Sequence, residues 1–211
     1  SHGGTIEDVI AYGSDRCALY CVGFQLEDEA HDISYTRAQA HGFREASRPA
    51  YRYWNGDGFS DERGNFAIRY LSCTATGCSD GGFDLKSANV FLKNCLARGN
   101  KRNFRLWNSG ELHQCRSEDP HHYGGTGGAA HFAFHSAAKR YVIDRPVVRA
   151  AAGNTAPVFL IDTKEPLTLV IRDADIAAPD APLFAVHGPE PTIQWLPDRS
   201  RQHIRVLRDR A

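Results

Sequence analysis

Phenylalanine recurs along this chain at a spacing that few folds can satisfy. Phe59, Phe83 and Phe104 stand 24 and 21 residues apart, each closing a glycine- or asparagine-rich turn in NGDGF, SDGGF and KRNF. The same Phe-x-apolar pattern returns at Phe24, Phe132, Phe159 and Phe184. Between these sites runs a second register: TIEDVIAYG, ISYTRAQAHG, IRYLSCTATG, VFLKNCLARG and, more weakly, GELHQCRSED. Aligned, it places Ile6, Tyr35, Tyr70, Leu92 and Leu112 in one column, and Val9, Ala38, Cys73, Cys95 and Cys115 in the next. Ala11, Ala40, Ala75, Ala97 and Ser117 form a third, and Gly13, Gly42, Gly77 and Gly99 close the repeats. A unit of 21 to 35 residues holding short strands cannot bury its apolar side alone. It needs a copy of itself above and below. The fold expected is all-β, a right-handed parallel β-helix of about seven to eight coils.

The chain of 211 residues, 42% hydrophobic with 19 Gly and 10 Pro, suits one domain over 1–211 and shows no helical periodicity of useful length. Net charge is zero. Bulk charge therefore gives no reason to expect nucleic acid or an anionic membrane as partner, and no apolar run is long enough to span a bilayer. A monomer is the expected state. The absence of Met and the SHGG start suggest a processed product, and the first coil, with Ile6, Val9 and Ala11 inward, lacks a visible cap. Missing N-terminal coils and a lost secretion signal are the expectation, with a secreted or periplasmic location. The arginine-rich segment 197–211 is expected to close the other end as a polar cap. Cys73, Cys95 and Cys115 are expected to stack inward as small apolar thiols. Cys17 and Cys21 share one loop and can pair, which the spacing does not decide.

Two excursions break the repeat. After Gly42 the chain runs FREASRPAYRYWNGDG, with Tyr51, Tyr53 and Trp54; residues 116–131 run RSEDPHHYGGTGGAAH, whose glycine pairs read as hinges of a mobile flap. The aromatics either stack on sugar rings beside a groove or pack among themselves. His121, His122, His131 and His135 match no standard zinc spacing.

Strand alternation turns Leu85 and Leu106 inward and leaves Asp84, Lys86, Arg105 and Trp107 on an outer face, with Asp57 and Asp80 in the turns leading to it. Later coils offer Ala133 and His135, Leu160 and Asp162, and Ala185 and His187, a blander series that reads as scaffold. Asp57, Asp80 and Asp84 supply the hard oxygens that Ca²⁺ prefers. Such an ion neutralises the carboxylate of an acidic sugar, so that a nearby base removes the adjacent proton and the 4-linked sugar departs. Arg105 or Lys86 would be that base. A guanidinium is ordinarily always charged, so Arg105 needs crowding by other cations or alkaline pH. A solvated, charge-balanced sheet face is the plain alternative.

The order NGDGF, DGGFDLK and NFRLWNSG resembles polysaccharide lyase family 9, calcium-dependent pectate lyases with an N-x-D-G-F turn, a D-D-G-W-D-L segment and a later N-G-F-K-L-G-G strand. The resemblance covers residues 55–110 or so. It implies calcium ligands at Asp57, Asp80 and Asp84 and places Arg105 where that family has its lysine base. It departs at Gly81, which stands for the second Asp of the pair, and at Arg105 itself. On this reading the substrate is an acidic polysaccharide, pectate first, with Lys86 and Arg102 on its carboxylates and Trp54, Tyr53 and Trp107 as stacking faces. Polygalacturonases of glycoside hydrolase family 28 share NGD and SDGGFDLK-like segments, but hydrolysis needs paired carboxylates, and Gly81 and the missing G-H-G leave that machinery incomplete. A non-catalytic polysaccharide-binding β-helix, such as an adhesin or tailspike fragment, is the remaining alternative.

Overall fold

The computed structural model describes residues 1–15, 17, 20–45, 48–135, 140–197 and 206–208, the last three as backbone only. These residues form a parallel β-helix. Three parallel sheets run its length: an eight-stranded first sheet from Thr5–Glu7 to Thr192–Leu196, a seven-stranded second from Ile10–Tyr12 to Asp175–Ala177, and an eight-stranded third from Val22–Leu26 to Val206–Arg208. Each coil gives one strand to each sheet, and the first seven coils are complete. The expected cap at 197–211 lies largely outside the described residues; Val206–Arg208 extends the third sheet by pairing with Phe184–His187.

Three of the columns expected from the repeats are columns of strand pairing. Ile6, Tyr35, Tyr70, Leu92 and Leu112 are successive partners in the first sheet. Ala11, Ala40, Ala75, Ala97 and Ser117 are partners in the second. In the third, Phe24, Phe59, Phe83, Phe104, Phe132, Phe159 and Phe184 form one ladder, with ring centroids 4.8–5.7 Å apart. That spacing is close to the distance between adjacent strands, so each ring lies on the next without strain on the sheet. Cys73, Cys95 and Cys115 are buried free thiols, as is Cys78, while Cys17 and Cys21 are joined by a disulfide. In the first coil Ile6 is half-buried, but Val9, placed among the inward residues by the repeats, is 42% exposed.

The corner between the first and second sheets is made by one left-handed residue per coil: Asp8, Arg37, Ser72, Asn94, Gln114, Arg145 and Asp173, with φ between 44° and 55–56°. None is glycine. The strain is offset because each donates its N–H to the coil beyond, as Arg37 does to Leu71 O at 2.9 Å and Ser72 to Lys93 O at 2.8 Å.

In the third sheet the pairing passes from Val22↔Asp57 directly to Phe24↔Phe59, and from Arg102↔Gly81 to Phe104↔Phe83. The residue skipped in each strand turns inward beside its Phe. Asn103 Nδ2 donates to Ser117 Oγ and Glu118 O at 2.9 Å, and His131 Nδ1 meets Ser117 Oγ at 2.7 Å. This bend, shared in register by neighbouring strands, re-aims the residues before it. Asp57 and Arg102 therefore share the outer face with Asp84 and Arg105, which strict alternation does not provide.

Candidate active site

Asp57 opens the strand Asp57–Asp61, Asp80 immediately precedes Gly81–Leu85, and Asp84 lies within it. Ligand oxygens of these three lie within 4.8 Å of one another. From the next strand, Arg102–Leu106, Arg102 Nη1 reaches Asp80 Oδ1 at 3.3 Å, and Arg105 Nη1 reaches Asp80 Oδ2 at 3.2 Å and Asp84 Oδ2 at 3.7 Å. The face is outward but not solvated. Asp80 is 1% exposed, Asp84 4%, Asp57 and Arg102 5%, and Arg105 8%.

What covers it is the first excursion. Its root is pinned by Glu45, fully buried, whose Oε2 accepts from Asn55 N at 2.8 Å and whose N–H donates to Ser79 Oγ at 2.9 Å. The chain so anchored lays Tyr53 over the cluster. Its hydroxyl donates to Asp80 Oδ1 at 2.5 Å, accepts from Arg105 Nη1 at 3.0 Å and also accepts from Arg102. The second excursion then docks on the first rather than swinging as a free flap. Thr126 N donates to Arg52 O at 3.0 Å, Tyr123 OH to Gly99 O at 2.8 Å, and Trp54 lies against Gly124 and Gly125, where any Cβ would collide with its ring. Lys101 is sealed beneath both. Its Nζ donates to Thr126 O at 2.5 Å and stands 4.2 Å from the centre of the Tyr53 ring. The sequence reading passed over Lys101, and the dipeptide Lys101–Arg102 ahead of a Phe of the ladder was the available signal.

The expected stacking rings are thus engaged by the protein itself. Tyr53 lies over Lys101, Trp54 is on the glycines, and Trp107 meets the guanidinium of Arg105 at 4.3 Å and the imidazole of His135 at 4.6 Å. Lys86 sits at the edge, bonded to Glu62 at 2.5 Å and 3.9 Å from Asp84. Of the four histidines weighed for metal, His121 and His122 are exposed, while His131 is inside the solenoid and His135 is buried on the outer face.

The electrostatics follow from this burial. Desolvation, together with Asp80 and Asp84, holds the Asp57 carboxyl well above the usual carboxylate range. Desolvation works against the charge on Arg105, but Asp84 and Asp80 outweigh it and push the guanidinium higher still. Lys86 behaves alike: burial opposes its charge, and Asp84 and Glu62 more than restore it. Lys101 alone goes the other way, lowered to about 8 by burial against the pull of Asp80, with Arg102 and Arg105 adding to the fall.

The donor set fits a hard cation. Asp57 Oδ1 accepts from Gly81 N and Asp84 Oδ1 from Trp107 Nε1, both at 2.6 Å, which fixes each carboxylate, and Asp84 Oδ2 faces Arg105. Three carboxylates crowd against Arg102 and Arg105, and the charges of Asp80 and Asp84 add to the burial that raises Asp57. The buried Asp cluster can hold a metal ion.

Beside the cluster, toward the later coils, opens a cleft of about 450 Å³ lined by Tyr53, Arg102, Arg105, Trp107, His135 and the segment Asp162 to Lys164. His135 and Asp162, from coils that read as scaffold in the sequence, thus share this cleft with the two arginines. Compared with known proteins, the chain matches no family model, no curated protein and no solved structure, so the reading of this site rests on its geometry.

Proposed function

We propose that the outer face of the third sheet binds an acidic, uronate-containing polysaccharide and cleaves it by β-elimination, with pectate as the leading substrate. One observation carries this reading: a buried triad of carboxylates adjoins two buried guanidiniums that line an open cleft. Burying five charged groups on a sheet face does little for stability even when they are paired, which supports a role for them other than folding. Asp57, Asp84 and Asp80 would hold Ca²⁺, which when bound neutralises a sugar carboxylate and makes the neighbouring C–H more acidic. Arg102 and Arg105 are fixed cations at the cleft wall and suit the carboxylate of the sugar. Arg105 is better fitted to that role than to accepting a proton, because its two Asp partners stabilise its charged form. Lys86, paired with Glu62, is poorly placed as a base for the same reason. A polymer of this kind lies outside the cytoplasm, which suits a secreted or periplasmic protein.

The test is ultraviolet absorbance of the unsaturated uronate product. Polygalacturonate is mixed with the protein at alkaline pH, first with calcium and then with chelator. The expected result is a rise that chelator abolishes. A flat trace on pectate and alginate, from protein shown to be folded, overturns the reading.

A further inference from the structure

Three side-chain atoms at the cleft are buried without a partner among the described residues: Nε of Arg102, Nε of Arg105 and Nε2 of His135. The first two are donors. The third is fixed by what holds the other side of its ring.

His135 follows the strand Ala130–Phe134 and continues its pairing, donating its backbone N–H to Leu106 O at 3.0 Å. Its side chain is 5% exposed and its ring lies on Trp107 at an interplanar angle of 27°. Nδ1 stands 3.5 Å from Asp162 Oδ2 on the next strand. A carboxylate there keeps the proton on Nδ1 and leaves the Nε2 lone pair free. Burial lowers the basicity of the ring, Asp162 opposes that, and Arg105 and Arg102 add to it, so His135 is neutral near pH 7. The other groups facing this corner are Lys164 and Tyr53 at the cleft and His187, the strand partner of Asp162.

Two guanidinium donors and one imidazole lone pair around a single cleft match a group with a carboxylate and an acidic hydrogen beside it. We infer that His135, positioned by Asp162, is the proton acceptor of the proposed elimination, while Arg102 and Arg105 take the sugar carboxylate. This rests on the lyase reading above. In the step, Nε2 bonds the proton of C5, the C–H pair becomes the C4–C5 double bond, and the C4–O bond breaks with its electrons on oxygen. The departing oxygen takes a proton from water and the imidazolium returns one to water, so nothing further is consumed.

The experiment compares the full-length wild type with His135→Gln and Asp162→Asn, measuring kcat on polygalacturonate across pH and the Kd for trigalacturonate. His135→Gln is expected to lower kcat by about 10³-fold and to change the trigalacturonate Kd less than about threefold. Asp162→Asn, at a side chain 56% exposed and so safe for folding, is expected to lower kcat about tenfold and to move the acid limb of the profile to lower pH, since the group that raises His135 is gone. A purely structural role for Asp162 would leave that limb in place. An active wild type whose His135→Gln variant keeps kcat within about tenfold, or whose limb is unmoved in Asp162→Asn, overturns the inference and spares the lyase reading. A wild type inactive on every uronate polymer overturns both. Should His135→Gln not fold, the limb in Asp162→Asn decides alone.

Discussion

The outer face of the third sheet changes character half-way along the solenoid while the inner face stays the same. Inside, phenylalanine follows phenylalanine from Phe24 to Phe184. Outside, one register column reads Ser60, Asp84, Arg105 in the earlier coils and Ala133, Leu160, Ala185 in the later ones. Both halves are removed from water. Ala133 is 0% exposed, and Leu160 and Ala185 are 7%, forming with Ala130 an apolar cluster of their own. The same backbone thus offers two solutions to covering one face. The apolar one is stabilising by ordinary burial. The charged one opposes folding by several kcal/mol per ion before pairing is counted, and pairing at best restores the loss. A chain that builds the apolar surface from the very next coil onward has a reason other than stability for Asp57, Asp80, Asp84, Arg102 and Arg105.

The comparison breaks most visibly if a charge is moved across it. Leu160→Asp places a carboxylate in the apolar half with no guanidinium in its column nearer than Arg105, two strands away. The expected loss is about 3–5 kcal/mol, read as a fall in the denaturant midpoint at unchanged slope. A loss under about 1 kcal/mol would mean the later coils are wetter than their burial suggests, and the contrast would fail.

The next effect concerns Asp61, the inward-facing carboxylate beneath the charged half, where neighbouring coils have Leu26 and Leu85. It accepts from Lys86 N at 2.6 Å, Ser87 N at 2.8 Å, Ser87 Oγ at 2.7 Å and Tyr70 OH at 3.1 Å. Burial, which these bonds offset only in part, raises it to about 6. The folded chain therefore keeps a proton that the unfolded chain, with a pKa of about 3.9, has released. This group favours the fold most below about pH 4, loses ground as pH rises toward about 6, and is level above that, a span on the order of 2–3 kcal/mol. Subtracting the stability profile of Asp61→Asn from that of wild type should isolate this slope. A flat difference between pH 4 and 6 would refute it.

How much of this contrast the sequence displays depends on whether a feature repeats. The Phe ladder, the Tyr35–Tyr70 column and the stacked Cys73, Cys95 and Cys115 are legible because each coil must supply the same kind of residue at the same place. The left-handed corners are just as regular in space, yet Asp8, Arg37, Ser72 and Gln114 share no chemistry that would mark them. The bend at Asn103 hides for a related reason: alternation cannot show that two successive residues turn inward. The burial of the site was the largest omission. It comes from Tyr53 and Thr126, on excursions that occur once and fold against each other, and no period reports such contacts. His135 and Asp162 stood in the right column but read as scaffold, because their neighbours Ala133 and Leu160 are.

A smaller change in stability is expected from substitution at Asp57, the second raised carboxyl. Its raised carboxyl means that the ionised form weakens the fold above the unfolded pKa. Asp57→Asn keeps an acceptor for Gly81 N and removes the excess charge, so it should stabilise the cation-free protein by about 0.5–2 kcal/mol near neutral pH. On the proposed function it should also abolish the stabilisation expected from calcium, about 2.7 kcal/mol at a hundredfold excess over Kd and read as a rise in Tm. A variant that still gains Tm with calcium would place the ion elsewhere.

The smallest effect separates the hydroxyl of Tyr53 from its ring, and so asks why the charged half has a cover at all. Tyr53→Phe removes the oxygen bridging Asp80, Arg102 and Arg105, but both guanidiniums remain within 3.3 Å of Asp80 and can close on it. The cost should be about 1 kcal/mol. The ring would still lie over Lys101, whose ammonium should keep its depressed pKa of about 8. Tyr53→Ala takes the ring as well, admits water to Nζ and should return Lys101 toward the ordinary lysine value of about 10.4, followed by NMR titration of the side-chain resonances. If Lys101 titrates alike in both variants, the lid does not control the dielectric over the cluster, and the difference between the two halves of the sheet lies in their columns alone.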